Sequence, residues 1–184
     1  MRVPQRDLVA FSGATVPVPD PDLLVHLQFR RFAGCPVCNL HLRTVVTRHD
    51  EIRAAGIREV VVFHSGVTEL RGHVDDLPFD VIPDPDKRLY REFGVESRWR
   101  SLLDPRVWPV IVRSIARDLP PVLRGRRSLP ARRPQGGRLG LPGDFLIAPD
   151  GRVLAGQVGR HAYDQWSVDE LLALAPATAR RAGA

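Results

Sequence analysis

Two cysteines are all the sequence contains, which excludes a disulfide-stapled scaffold and leaves too few sulfur ligands for a four-cysteine zinc cluster. No stretch reaches 18 consecutive apolar residues, so no membrane-spanning helix is expected. The opening residues Met1 to Asp7 lack an apolar signal core, and the expectation is a soluble, cytoplasmic protein. A glycine-rich nucleotide fingerprint is missing as well. Gly136, Gly137 and Gly140 have no preceding strand, so a bound nicotinamide or flavin is not expected and no cofactor is assigned.

Acidic residues are scarce in one place. From Arg98 to Arg138 there are 11 arginines against Asp104 and Asp118, a local excess of 9 charges in a chain of net charge +6. The remainder is therefore slightly acidic, at −3. Lys87 is the only lysine among 27 basic residues, so the arginine preference runs through the whole chain and the position of the charge says more than its amount. With 184 residues and 43% hydrophobic content, one well-buried core is expected. The economical organisation is a single domain, 1–184, with an Arg-rich insertion at 98–140.

The two cysteines stand three positions apart in Cys35-Pro36-Val37-Cys38. An apolar run, Leu24 to Phe29, precedes them. After them Cys38, Leu42, Val45, Val46, His49 and Ile52 follow a helical stripe that extends to Ala55. The pair therefore marks a strand-to-helix junction, with Pro36 suited to the first helical turn. Cys35 would lie beside unpaired N–H groups and the positive end of the helix dipole, which favour a thiolate. That geometry predicts Cys35 as the attacking nucleophile and Cys38, one turn inside and more buried, as the resolving thiol. Two alternatives stand beside this reading. Cysteines also pack as small hydrophobes, which leaves the spacing and the proline unexplained. His41 extends the string to Cys35-x-x-Cys38-x-x-His41, yet a structural metal needs a second cluster and none exists, so no metal is assigned.

Short strands are expected at Leu8–Phe11 and Ala14–Val18, then at Ile57–Phe63 and Phe79–Ile82. A short helix fits Thr68 to Val74, and Asp86 would cap another from Lys87 to Phe93. In the insertion Leu103, Val107, Ile111, Ile115 and Leu119 recur every fourth residue, an amphipathic helix carrying Trp108 and followed by a Pro/Gly/Arg-rich stretch. Beyond it Phe145–Ala148 and Arg152–Val158 form a hairpin about Pro149-Asp150-Gly151, and Ser167 with Glu170 makes a capping box for a last helix ending near Ala175. This order describes an α/β thioredoxin-like sandwich: a central mixed sheet flanked by helices, with the basic helical and loop insertion.

With these residues in place the chain resembles the peroxiredoxin-like branch of the thioredoxin superfamily, the AhpC/TSA-type proteins with a CxxC. The likeness is carried by Phe29 to Cys38, Val62 to Ser65, Asp84 to Val95 and Leu141 to Ile147. The resemblance implies an antioxidant thiol oxidoreductase. Cys35 would attack a peroxide or disulfide, Cys38 would close a redox-active disulfide, and a thioredoxin-like reductant would reopen it. It also makes Pro142 the cis-proline opposite the active-site helix, so that Pro36 and Pro142 are the candidate substrate-binding residues. One departure weighs against efficient peroxide reduction. Family members carry a proline seven residues and a threonine three residues before the reactive cysteine. Those places hold Gln28 and Phe32 before Cys35, and Arg31 and Cys35 before Cys38. A catalytic arginine is open among Arg30, Arg31, Arg138 and Arg160. A reading of another class makes the chain an interaction module, its basic helix with Trp99 and Trp108 lying on an anionic membrane or holding nucleic acid. Packing of that helix on the fold, or on a second subunit in a homodimer through 98–119, is the favoured account of it.

Overall fold

The computed structural model describes residues 1–95, 109, 112–113, 116, 140–161 and 163–175. A two-stranded antiparallel hairpin, β1 (Arg6–Val9) and β2 (Thr15–Val18), precedes the central sheet. That sheet holds β3 (Leu24–Arg30), β4 (Ile57–Phe63), β5 (Asp80–Pro83), β6 (Gly143–Ile147) and β7 (Val153–Val158) in the order β5-β4-β3-β6-β7. The pairs β3–β4 and β4–β5 are parallel, whereas β3–β6 and β6–β7 are antiparallel. Helices α1 (Pro36–Thr47), α2 (His49–Ala54), α3 (Val67–Leu70), α4 (Arg88–Glu92) and α5 (Val168–Leu174) cover it. This is the thioredoxin-like sandwich expected from the element order. Among the described residues no helix is long and apolar enough to cross a membrane.

Strand period decides the two cores. Val25, Leu27 and Phe29 of β3 face the hairpin and α4, where Val16, Val18, Tyr90 and Phe93 meet them. On the other side Val45, Ile52, Val168 and Leu171 from α1, α2 and α5 close over Leu24, Ile57 and Leu146. β3 is buried along its whole length because both faces are covered.

Three local expectations are corrected. The stripe from Cys38 to Ala55 forms two helices, with Arg48 at φ −113° and ψ 20° between them. Just before that break Thr47 Oγ1 donates to the Arg43 carbonyl at 2.8 Å, a back-bond that bends helices. Asp84, not Asp86, caps α4, its carboxylate accepting from the N–H groups of Arg88 and Leu89 at 2.9 Å each. Lys87 stands between them at φ 55°. The helix expected over Thr68 to Val74 is a single turn, Val67–Leu70. The Ser167–Glu170 capping box is formed as read. The expected 98–119 helix and the stretch to 140 lie almost wholly outside the described residues, and with them the homodimer, membrane and nucleic-acid expectations. Pro109, Val112, Arg113 and Ala116 are helical and exposed.

The polar face of β3 is also buried. His26, Gln28 and Arg30 point under α1, and the strand registers bring Glu59 opposite His26 and Asp144 opposite Gln28. His26 Nδ1 lies 2.9 Å from Glu59 Oε2, and its Nε2 lies 3.3 Å from Asp144 Oδ1. Arg30 Nη2 donates to Asp144 at 2.7 Å and also to Gln28 Oε1, while Gln28 Nε2 donates to Glu59. Trp166 stacks on the His26 ring at 5.7 Å. Burial disfavours the charged imidazole, but Glu59 and Asp144 outweigh it and hold its pKa up at about 9. Burial also opposes the Asp144 carboxylate, yet Arg30 and His26 keep it well below the usual carboxylate range.

A histidine whose pKa is raised on folding stabilises fully below its unfolded value and loses that contribution as pH rises through the folded one. His26 should therefore stabilise the fold at pH 6 and cease to do so between about pH 7 and 10. Urea unfolding of wild type and His26→Gln across that range checks this, the expected result being a stability difference that shrinks with rising pH. A constant difference would mean that His26 is buried neutral.

Candidate active site

The cysteine turn is built at the end of β3. Gly34 adopts φ 76°, a left-handed conformation that favours glycine, and Cys35 N–H bonds back to the Phe32 carbonyl at 3.2 Å. Ser65 Oγ, just past β4, accepts from Ala33 N–H at 3.0 Å and ties the turn to the sheet. Cys35 is then the N-cap of α1, extended at ψ 116°, with Pro36 as first helical residue and the Asn39 N–H bonded to the Cys35 carbonyl at 2.9 Å.

Both cysteines are free thiols. They are equally buried, each 2% exposed, so the expectation of a more open Cys35 is corrected. Phe32 and Val37 pack around the two sulfurs, and Tyr163 closes against this cluster from the segment before α5. Pro36 is the partly exposed member of the motif. The two thiols are nevertheless unlike. A hydrogen bond from the Cys38 thiol is the largest influence on Cys35; burial opposes it, and the Arg31 charge and the N–H groups of Cys38 and Val37 assist. Together they bring Cys35 down to about 6. Cys38 moves the other way, pushed well above an ordinary thiol by donating to Cys35, by burial and by the Cys35 charge. The asymmetry read from the sequence is present, although a neighbouring thiol and Arg31 contribute ahead of the helix N–H groups.

The four candidate arginines separate clearly. Arg31 is buried, acts electrostatically on both cysteines and lies 5.5 Å from the Phe32 ring centroid. Arg30 is committed to Asp144 and Gln28 beneath the helix. Arg160 is exposed and pairs with Asp164 at 3.2 Å. Arg138 lies outside the described residues.

Pro142 departs from its expected form. The Leu141–Pro142 bond is trans, and the one cis peptide among the described residues is Val18–Pro19. The Pro142 carbonyl accepts from Gly159 N–H at 2.8 Å, so its backbone edge is already engaged. Gly140 is the residue of this loop that comes over the site, where an added Cβ would stand 3.2 Å from His64 Nε2 and 3.7 Å from Arg31 Cγ. His64 is buried, its ring 5.6 Å from that of Tyr90, and burial pushes its pKa down to about 4. His41, on α1, is likewise pushed down by burial, to about 3. Among the described residues no group of three or more His, Cys, Asp or Glu side chains could hold a metal ion. Sequence reasoning missed Tyr163 and His64. Neither carries a local signal, since each reaches the site only through the path of the chain.

Residues 44–161 match the family described as AhpC/TSA antioxidant enzyme. The matched segment starts inside α1 and does not include the two cysteines, whose roles rest on geometry. No curated protein matches the sequence. Among solved structures the fold is similar to peroxidoxin BcpB from Mycobacterium tuberculosis, with TM-score 0.62, 17% identity and coverage of 99% of this chain and 95% of that one. It is also similar to peroxiredoxin Q from Xanthomonas campestris (TM-score 0.61, 16% identity, coverage 95% and 91%) and StoA from Bacillus subtilis (TM-score 0.60, 12% identity, coverage 96% and 100%).

Alkylation of the reduced protein by iodoacetamide should give one reactive thiol, Cys35, with a midpoint near pH 6. Cys38→Ala should raise that midpoint more than Arg31→Gln does, because the thiol donor is the larger influence. Equal shifts, or a wild-type midpoint above pH 8, would contradict this account.

Proposed function

The chain belongs to the AhpC/TSA antioxidant enzyme family, and from that premise we propose that it is a thiol-dependent oxidoreductase in which Cys35 reduces a small hydroperoxide and Cys38 resolves the product. The observation that carries this is the opposed behaviour of two thiols one helical turn apart, one lowered to about 6 and the other raised. With Cys35 lowered and Cys38 raised, Cys35 is favoured as the thiolate at neutral pH, which supports attack by Cys35 and resolution by Cys38. Burial of both sulfurs favours an oxidant small enough to enter a narrow opening over a folded protein disulfide.

The Cys35 thiolate attacks the terminal peroxide oxygen. An S–O bond forms, the O–O bond breaks, and the electron pair leaves with the second oxygen, which takes up a proton. Sulfur is oxidised to sulfenic acid and the peroxide is reduced to an alcohol or water. Cys38 then attacks Cys35 sulfur, forming the disulfide and expelling water, so the sulfenic acid is trapped before a second oxidant reaches it. A thioredoxin-like dithiol supplies the two electrons and the protons that restore the pair. Arg31 stabilises the thiolate throughout.

Exchange with a small disulfide is the second reading, favoured by Gln28 and Phe32 at the places where the family carries proline and threonine. Stopped-flow oxidation of the reduced protein separates the two. Hydrogen peroxide and an organic hydroperoxide should oxidise wild type, Cys38→Ser should accumulate one added oxygen at Cys35, and Cys35→Ser should be inert. Indifference to both peroxides, with rapid reduction of a small aromatic disulfide, would replace the first reading by the second.

A further inference from the structure

The family's hydroxyl, three residues before the reactive cysteine, is replaced here by Phe32. Phe32 is itself buried with the two cysteines, so position 32 offers no hydroxyl to the oxidant. Tyr163, which carries a hydroxyl, packs on the cluster of Phe32, Cys35, Val37 and Cys38. It arrives from a distant part of the chain, between β7 and α5. Tyr163 is half-buried, and its backbone N–H donates to His161 Nδ1 at 3.3 Å.

The same side chain has a second neighbour. A recess of about 230 Å³ opens between α1 and the segment leading into α5, lined by Tyr163 with His41, Thr44, Arg48 and Gln165. Its lining mixes apolar surface with a few polar atoms. His41 Nε2 and both amide atoms of Gln165 are buried with no hydrogen-bond partner among the described residues, a condition that native proteins rarely leave unexplained. Tyr163 is thus shared between a solvent-open recess and the cluster that holds the two buried sulfurs.

Resting on the hydroperoxide reading above, we propose that Tyr163 is both the gate to Cys35 and the hydroxyl donor of the reaction, replacing the missing threonine. In the resting protein its ring covers the sulfurs. When an oxidant enters from the recess the phenol hydroxyl donates a hydrogen bond to the leaving oxygen as the O–O bond breaks. Negative charge develops on that oxygen in the transition state, where a positioned donor acts most strongly. The proton itself comes from solvent in the recess, and the electron balance is that of the thiolate attack. The site accordingly selects hydroperoxides whose organic part is small enough to lie against His41, Thr44 and Gln165.

Two variants separate the ring from the hydroxyl. Tyr163→Phe keeps the ring and removes only the donor, so the rate constant for hydroperoxide should fall about 100-fold. Its alkylation rate by iodoacetamide and the Cys35 alkylation midpoint should stay within about two-fold of wild type, since alkylation has no leaving oxygen to stabilise. Tyr163→Ala removes the ring and should raise the alkylation rate several-fold while peroxide reduction remains impaired. A Tyr163→Phe protein that reduces hydroperoxide at the wild-type rate overturns the donor role and leaves the redox reading standing. Equal losses in both reactions would show a structural role only and overturn it too. A wild-type protein inert to hydroperoxide overturns both this inference and the reading beneath it.

Discussion

The Cys38 thiol donates to Cys35, and this one hydrogen bond makes the two sulfurs unlike. The backbone sets its direction. Cys35 ends a turn forced by Gly34 and begins a helix at Pro36, so its sulfur meets the N–H groups of Val37 and Cys38. Cys38 sits a turn further on, where burial penalises its ionisation and Cys35 accepts its thiol hydrogen. Arg31, the next residue after β3, adds the fixed positive charge. A thiol with a lowered pKa is obtained in this way at a position with almost no exposure.

The helix that carries the pair rests on charges. Glu59, His26, Asp144 and Arg30 run across three strands with Gln28 between them, each at most 1% exposed. Removing one member would leave a buried charge uncompensated, which costs far more than a surface pair contributes. Trp166 stacks on His26 and donates its backbone N–H to Asp144 at 3.3 Å, so the segment that carries Tyr163 and Gln165 is fastened to the same network. The floor of the site and the segment that carries Tyr163 are therefore held by one set of ion pairs.

Much of this was legible in the chain. The β-branched run Ile57–Phe63, the Ser167 capping box and the hairpin about Gly151 carry local signals, and the structure places them where the sequence does. Pro36 and the CxxC spacing located the junction. The polar face of β3 was hidden in what reads as an apolar run from Leu24 to Phe29, because each of its partners is more than 30 residues away. His26, Gln28 and Arg30 alternate with period two, and that alternation was the available signal. Arg31 could not be told from Arg30 without knowing which face each takes at the strand end. Pro142 was assigned a cis bond by resemblance alone, whereas the Gly159 N–H bond that engages it joins residues far apart in character and unmarked in the sequence.

A dithiol that has already shed one proton at neutral pH has a thermodynamic signature. Closing the disulfide releases two protons below the Cys35 pKa of about 6 but only one above it. The midpoint potential of the couple therefore falls by about 59 mV per pH unit in acid and by about 30 mV per unit thereafter. Over the neutral range the driving force for its reduction by a partner dithiol with two ordinary thiols therefore shrinks by about 30 mV for each unit by which the medium becomes more acidic. The lowered Cys35 thiol thus makes the dithiol–disulfide couple less sensitive to acidity than an ordinary one.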